Sequence, residues 1–321
     1  MQRLTDEKII LVTRPTRLGE LVVRFNTAAQ ARFYVEHLGA DFSDYEHEDA
    51  TYRAACDATR EALDRFGRVQ VLDRGFVPNF VFGPRDFVVT LGQDGLVANT
   101  LKYLDGQPVV GVNPDPARWD GQLLPFRATD LPHVMPEILA RRRPTKRVTM
   151  ACATLSDGQK LHAVNDLFIG PRSHGSARYT IEIDGKQEQH SSSGIIVSTG
   201  LGSTGWLKSL LAGAFGIART AGALLGGKAA PAGKAPPPSR CEFPSDSAHL
   251  VFTVREPFPT RTTGASLLFG RITSQAPLTL VSHMAENGVI FSDGIERDFL
   301  AFNHGTRAVI GPSDKQGMLV V

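Results

Sequence analysis

An α/β domain followed by an all-β domain is the fold class this sequence predicts, on three observations. β-Branched apolar runs alternate with helix-like stretches over residues 1–145, the pattern of a parallel sheet with crossover helices. From about Arg147 onward, short alternating strands succeed one another with little helix between them, as in a β-sandwich. The chain has 321 residues, enough for two cores. The expected domains are a Rossmann-like one over 1–145, carrying a Gly-x-Asp-Gly turn, and a β-sandwich-like one over 146–321.

Lys8-Ile9-Ile10-Leu11-Val12 is a short buried-strand pattern and opens the first domain. Thr27–Leu38 and Ala50–Phe66 carry helical periodicity, and Val69-Gln70-Val71-Leu72 is a brief strand. Asp86-Phe87-Val88-Val89-Thr90-Leu91 is a strand that runs into Gly92-Gln93-Asp94-Gly95 and then a helix over Leu96–Leu104. Pro108–Asn113 is a strand ending in a polar turn. Leu131–Arg143 is a helix whose basic end suits the negative pole of its dipole. In such sheets ligands gather at the strands' carboxyl ends, where Asp94 and Asn113 fall.

In the second domain the expected strands are Arg147–Thr154, Ala163–Ile169, Ala177–Ile183, Ile195–Thr199, Ala248–Val254, Leu278–Ser282, Val289–Phe291 and Ala308–Ile310. A helix starting near Ser203 interrupts them. Residues 226–240 are rich in Pro, Gly and Ala and cannot bury a core, so a mobile loop is expected, with Lys228 and Lys234 as candidate phosphate contacts if it acts as a lid.

Formal net charge is +2, which gives no bulk electrostatic case for nucleic acid or for a membrane surface. No apolar run reaches membrane-span length, and the N-terminus resembles neither a signal nor a transit peptide, so a cytoplasmic protein is expected. Cys56, Cys152 and Cys241 are odd in number and scattered, which argues for a reducing compartment. His37, His47, His133 and His162 lack ligand spacing and are read as surface or structural residues, so no metal site is expected from the chain.

Two segments carry chemistry. Gly194–Trp206 is an apolar strand ending in a Ser/Thr/Gly cluster where a helix should begin. Such turns offer amides and hydroxyls to anions, although a capped strand-to-helix turn explains the same residues. In Gly92-Gln93-Asp94-Gly95 the glycines let a ligand approach the backbone, and Asp94 sits where a substrate hydroxyl could lose a proton. A plain turn with Asp94 as the helix cap is the alternative. Arg14 and Arg17, just beyond the first strand, are placed either to meet phosphate or to be solvated. No Gly-x-Gly-x-x-Gly follows that strand, which disfavours a dehydrogenase.

Taken in order, these motifs resemble the NAD kinase family and its diacylglycerol-kinase-like relatives. Gly92–Gly95 is similar to the family's Gly-Gly-Asp-Gly, Ala163-Val164-Asn165-Asp166 to its Asn-Glu/Asp motif, and Ser193–Trp206 to its Ser/Thr/Gly-rich segment. Val289–Gly294 is similar to its late strand and Asp-Gly turn. Gly111-Val112-Asn113-Pro114-Asp115-Pro116, Ser192-Ser193-Gly194 and Val254-Arg255-Glu256-Pro257 resemble the mitochondrial-type branch and its bacterial relatives in particular.

The resemblance implies an active site in a cleft between the two domains, and transfer of the ATP γ-phosphoryl to the adenosine 2′-hydroxyl of NAD or NADH. It also implies a homodimer or higher homo-oligomer. Asp94 would orient or deprotonate the hydroxyl, and Gly92 and Gly95 would let amides approach phosphates. Asn165 and Asp166 would hold the adenosine part. Ser203 and Thr204 would cap the helix, and with Asn113, Thr199, Gly202, Trp206 and Ser209 would line the nucleotide sites. Mg²⁺ would arrive with ATP, held largely by phosphate oxygens and water. The chain departs from the family at Gln93 and Leu96, and Gly200-Leu201 replaces Pro-Thr. Gln93 and Leu96 keep open a degenerate dinucleotide sensor, and the motif shared with relatives keeps open a kinase of a lipid or sugar hydroxyl, against which Asn165-Asp166 and Trp206 favour a nucleotide acceptor.

Overall fold

The structure, a computed structural model, describes residues 4–224 and 242–321. The expected loop at 226–240 and Cys241 lie outside the described residues. The chain divides into two compact units, Met1–Lys146 with Gly317–Val321, and Arg147–Gln316.

The first unit contains β1 (Lys8–Thr13), α1 (Arg17–Phe25), α2 (Ala28–His37), α3 (Ser43–Asp64), β2 (Arg68–Asp73), β3 (Phe87–Leu91), α4 (Asp94–Leu101), β4 (Pro108–Val112) and α5 (Leu131–Leu139). Its parallel sheet runs β2-β1-β3-β4, and Met318 and Leu319 pair in parallel with Pro108 and Val109. β3 is buried along its whole length, as a central parallel strand must be. Its core includes Leu11, Val89, Leu91 and Val110, together with Leu63 of α3 and Met135 of α5.

α1 was not expected. Thr16 caps it by accepting the Gly19 amide, and its apolar residues Leu18, Leu21, Val22 and Phe25 recur at helical spacing, with Leu18, Leu21 and Phe25 packed against Ala31, Val35 and Phe42. α3 begins seven residues before the expected start, because its first turns are polar. α5 stops at Leu139, since Arg141 takes a left-handed φ of 54°.

The second unit contains β5 (Thr145–Leu155), β6 (Lys160–Ala163), β7 (Asp166–Pro171), β8 (Ala177–Ile183), β9 (Lys186–Ser192), β10 (Ile195–Ser198), α6 (Trp206–Leu224), β11 (Leu250–Val254), β12 (Phe269–Ile272), β13 (Leu278–Ser282), β14 (Gly288–Ser292), β15 (Ile295–Ala301) and β16 (Arg307–Val320). One antiparallel sheet runs β12-β11-β10-β7-β14-β15. The other runs β16-β13-β8-β9, with β5 paired to β16 and to β6. A single core, from Ile181, Leu280 and Ile310 of one sheet to Ile169, Val197 and Phe252 of the other, lies between them. β9, β12 and β15 escaped the sequence pattern because they are edge strands with few buried positions.

The expected strand Ala163–Ile169 is two strands, β6 and β7, with Val164 and Asn165 forming a turn between them. Helix α6 starts at Trp206, after a 3₁₀ turn over Gly202–Thr204. Among the described residues, no helix is long and apolar enough to cross a membrane.

Gly111 sets the spacing beside β4. A Cβ there would overlap the Leu123 carbonyl, which is backbone and cannot swing away. Gly111→Ala should destabilise the protein by about 1–3 kcal/mol. Urea unfolding should show a lower midpoint at unchanged m.

Candidate functional site

In the first unit, β3 delivers the chain to Gly92, whose amide donates to the Val112 carbonyl at 3.3 Å. Gln93 is the residue before α4, at φ −79° and ψ 161°, an extended conformation that any side chain tolerates. The replacement of glycine at this position therefore introduces no backbone strain. Asp94 is the first residue of α4, and its carboxylate does not cap that helix. It accepts the amides of Leu123 at 2.8 Å and Gln122 at 3.2 Å. Gly95 is exposed, and space opens where a Cβ would be. Leu96 is buried and packs against Gly92, so the family's hydroxyl position is here part of the core.

The loop that grips Asp94 is itself held to β4. The Asn113 amide donates to Phe126 O at 2.7 Å, and the Phe126 amide to Gly111 O at 3.3 Å. The Asn113 side chain donates to Trp119 O at 2.9 Å and accepts the Asp115 amide at 3.0 Å. Asn113 is buried and shapes this loop. A cavity of about 250 Å³, lined by Asp86, Gln107, Arg141 and Arg143, lies at the amino ends of β3 and β4, away from Asp94.

Arg14 and Arg17 are both ion-paired within the protein, Arg14 buried and Arg17 partly exposed. Arg14 is buried, pairs with Glu48 at 2.9 Å and covers the Tyr52 ring. Tyr52 accepts the Arg14 amide at 2.9 Å and donates to Leu91 O at 2.8 Å, which ties the ends of β1 and β3 together. Arg17 bridges Glu48 at 2.7 Å and Asp44 at 2.6 Å, and Asp44 also pairs with Arg118. Arg118 and Arg17 hold the Asp44 carboxyl well below the usual range. Burial opposes the charge on Glu48, but Arg17 and Arg14 outweigh it and its pKa is lowered.

In the second unit, the Val164–Asn165 turn meets the segment after β10. The Thr199 amide donates to Asn165 O at 2.9 Å, and its hydroxyl donates to Val164 O at 2.6 Å while accepting the Gly202 amide at 3.1 Å. A Cβ on Gly202 would overlap Asn165 O, so this approach requires glycine. Thr199 and Ser203 are fully buried, and their hydroxyls are spent on the turn. Ser203 does not cap α6: it donates to Gly200 O at 2.7 Å and accepts the Phe243 amide at 3.2 Å. Thr204 likewise donates back, to Leu201 O at 3.1 Å. Ser209 is exposed on α6 and bonds weakly to Gly205 O at 3.4 Å. Trp206 lies half-buried, stacked on Phe168 at 6.1 Å, with the Arg255 guanidinium 5.6 Å from its centroid.

Sequence reasoning missed three contributors. The Gln122 and Leu123 amides are invisible in side-chain patterns. Arg255 was seen only as part of a phrase. Asp293 was noted only as a turn, yet its carboxylate accepts the Asn165 amide at 2.7 Å. Asp166 is half-buried with Oδ1 enclosed and unpartnered. Burial pushes its carboxyl up to about 7, opposed by a hydrogen bond with Ser198 and assisted by the charge of Asp293. Among the described residues, no three His, Cys, Asp or Glu side chains converge as a metal cage.

The folded pKa of Asp166 lies above the unfolded one, so the native state holds the extra proton from about pH 4 to about 7. The stability this contributes is complete below the unfolded value and is lost as pH rises through about 7. Between about pH 5 and 8, wild type should lose more melting temperature than Asp166→Asn, by roughly 2–4 °C per kcal/mol of charge burial. Equal slopes in scanning calorimetry would contradict this.

No family model matches the chain, and no curated protein does. Solved structures do. The chain is similar to an NAD kinase from Archaeoglobus fulgidus in complex with ATP, with a TM-score of 0.57 and 15% identity over 98% of this chain and 93% of that one. It is also similar to a yeast NADH kinase complexed with NADH, with a TM-score of 0.54 and 16% identity over 99% of this chain and 84% of that one. The α/β unit and the two-sheet β unit are those of the NAD kinase fold.

Proposed function

We propose that this chain is a kinase that transfers the ATP γ-phosphoryl to the adenosine 2′-hydroxyl of NAD or NADH. The observation that carries the reading is the Asp94 carboxylate, fixed by two loop amides at the carboxyl end of β3 and still partly open to solvent. A carboxylate so held can accept a hydrogen bond from a substrate hydroxyl and orient its oxygen. As the bond from that oxygen to the γ-phosphorus forms and the γ–β bridge breaks, the hydroxyl proton passes to Asp94 and ADP leaves. The neighbouring structures, one bound to ATP and one to NADH, support this donor and this class of acceptor.

The second unit supplies dinucleotide recognition in this reading. Asn165 offers an amide that both donates and accepts, and Asp166 offers a carboxylate with an unpartnered buried oxygen. Together they suit a ribose and a base. Thr199, Gly202 and Ser203 support the turn that carries them. Among the described residues no three carboxylates, histidines or cysteines converge as a cage; Mg²⁺ would come with the triphosphate, held largely by phosphate oxygens and water, and would neutralise charge there.

Wild-type protein given ATP, Mg²⁺ and NAD should form NADP, and Asp94→Asn should lower kcat/KM by about 10²–10⁴-fold with the fold intact. NAD binding without turnover in the wild type would replace the kinase with a sensor. ATP consumption with another alcohol alone would replace the acceptor.

A further inference from the structure

The Asp293-Gly294 pair is the motif to which the reaction assigns no part. It is the two-residue turn between β14 and β15, with φ of 54° at Asp293 and 72° at Gly294, as a type I′ hairpin requires. An aspartate in such a turn ordinarily faces water. This one reaches back across the sheet to the turn between β6 and β7. Its Oδ1 accepts the amides of Asn165 at 2.7 Å, Val164 at 3.1 Å and Asp166 at 3.3 Å, and Oδ2 also takes Val164 at 3.1 Å. The Asp293 amide donates to Asp166 O at 2.9 Å. Three successive amides converging on one anion form a nest.

The same turn is held from its other side by Thr199, which takes the carbonyls of Val164 and Asn165. The backbone polar groups of the turn are thereby satisfied within the protein, and the Asn165 side chain and the Oδ1 of Asp166, whose carboxyl also bonds Ser198, are left for other partners. We propose that Asp293 is a positioning residue for dinucleotide recognition: its carboxylate fixes the Val164–Asp166 turn in the arrangement that presents Asn165 and Asp166. This rests on the kinase reading above.

Two substitutions separate the carboxylate from the hairpin. Asn and Gly both accept a left-handed φ, so Asp293→Asn and Asp293→Gly keep the turn geometry. Losing the charge-assisted bonds in Asp293→Gly should raise the KM for NAD by about 10-fold or more. The KM for ATP and the kcat at saturating NAD should stay within about 3-fold, well inside 1 kcal/mol. Asp293→Asn should fall between Asp293→Gly and wild type, because its Oδ1 can keep the Asn165 amide. Hydrogen exchange at the amides of residues 164–166 should accelerate in the same order.

A merely structural residue would move both KM values, kcat and melting temperature together, and that pattern overturns the inference. So does an unchanged KM for NAD in Asp293→Gly. Wild-type protein that neither binds nor phosphorylates NAD overturns the kinase reading and this inference together. Active wild type with an indistinguishable Asp293→Gly overturns this inference alone.

Discussion

Backbone amides that have no strand partner are paired with carboxylates from distant parts of the chain, and both candidate turns depend on this. Asp94 takes the amides of Gln122 and Leu123, and Asp293 takes those of Val164, Asn165 and Asp166. An enclosed N–H left unpaired costs about 1–3 kcal/mol, so each carboxylate decides where a loop can rest. A charged acceptor strengthens the bond and fixes its own rotamer in return. The same groups thus set where each candidate turn rests.

Close packing sets the remaining geometry. Glycine at 111 and at 202 lets one backbone segment lie against another, Leu123 in the first case and Asn165 in the second. The guanidinium groups of Arg14, Arg17 and Arg118 hold α3 and the loop after β4 through Glu48 and Asp44. The family positions where this chain differs fit that frame. Gln93 occupies an extended conformation, and Leu96 exchanges a hydroxyl contact for burial against Gly92.

The fold was legible where burial dictates sequence. β3 and β10 are buried along their whole length and, Thr90 and Ser198 apart, apolar, so they read directly as strands. The edge strands were not legible, since half-exposed backbone places few demands on side chains. α1 was legible but passed over, since Leu18, Leu21, Val22 and Phe25 follow helical spacing. For the candidate site, the motifs marked the right stretches of chain but not the work of each side chain. Thr199 and Ser203 look like ligand hydroxyls in sequence and are internal braces in the structure. Asp293 lies 128 residues from the amide it holds most closely, a separation that no local pattern encodes. Arg118 likewise meets Asp44 across 74 residues.

Met318 and Leu319 complete the first unit's sheet beside β4 after the whole second unit has intervened. During synthesis the ribosome delivers β1 to β4 early, and their neighbour at Pro108 and Val109 arrives only after residues 147–316. Until then β4 presents an open row of donors and acceptors, a template for wrong pairing. Long-range closure of this kind slows folding and prolongs exposure to aggregation. Expression of the first unit alone calls for residues 317–321 to be rejoined to Lys146 through a short linker, so that the missing partner is covalently at hand.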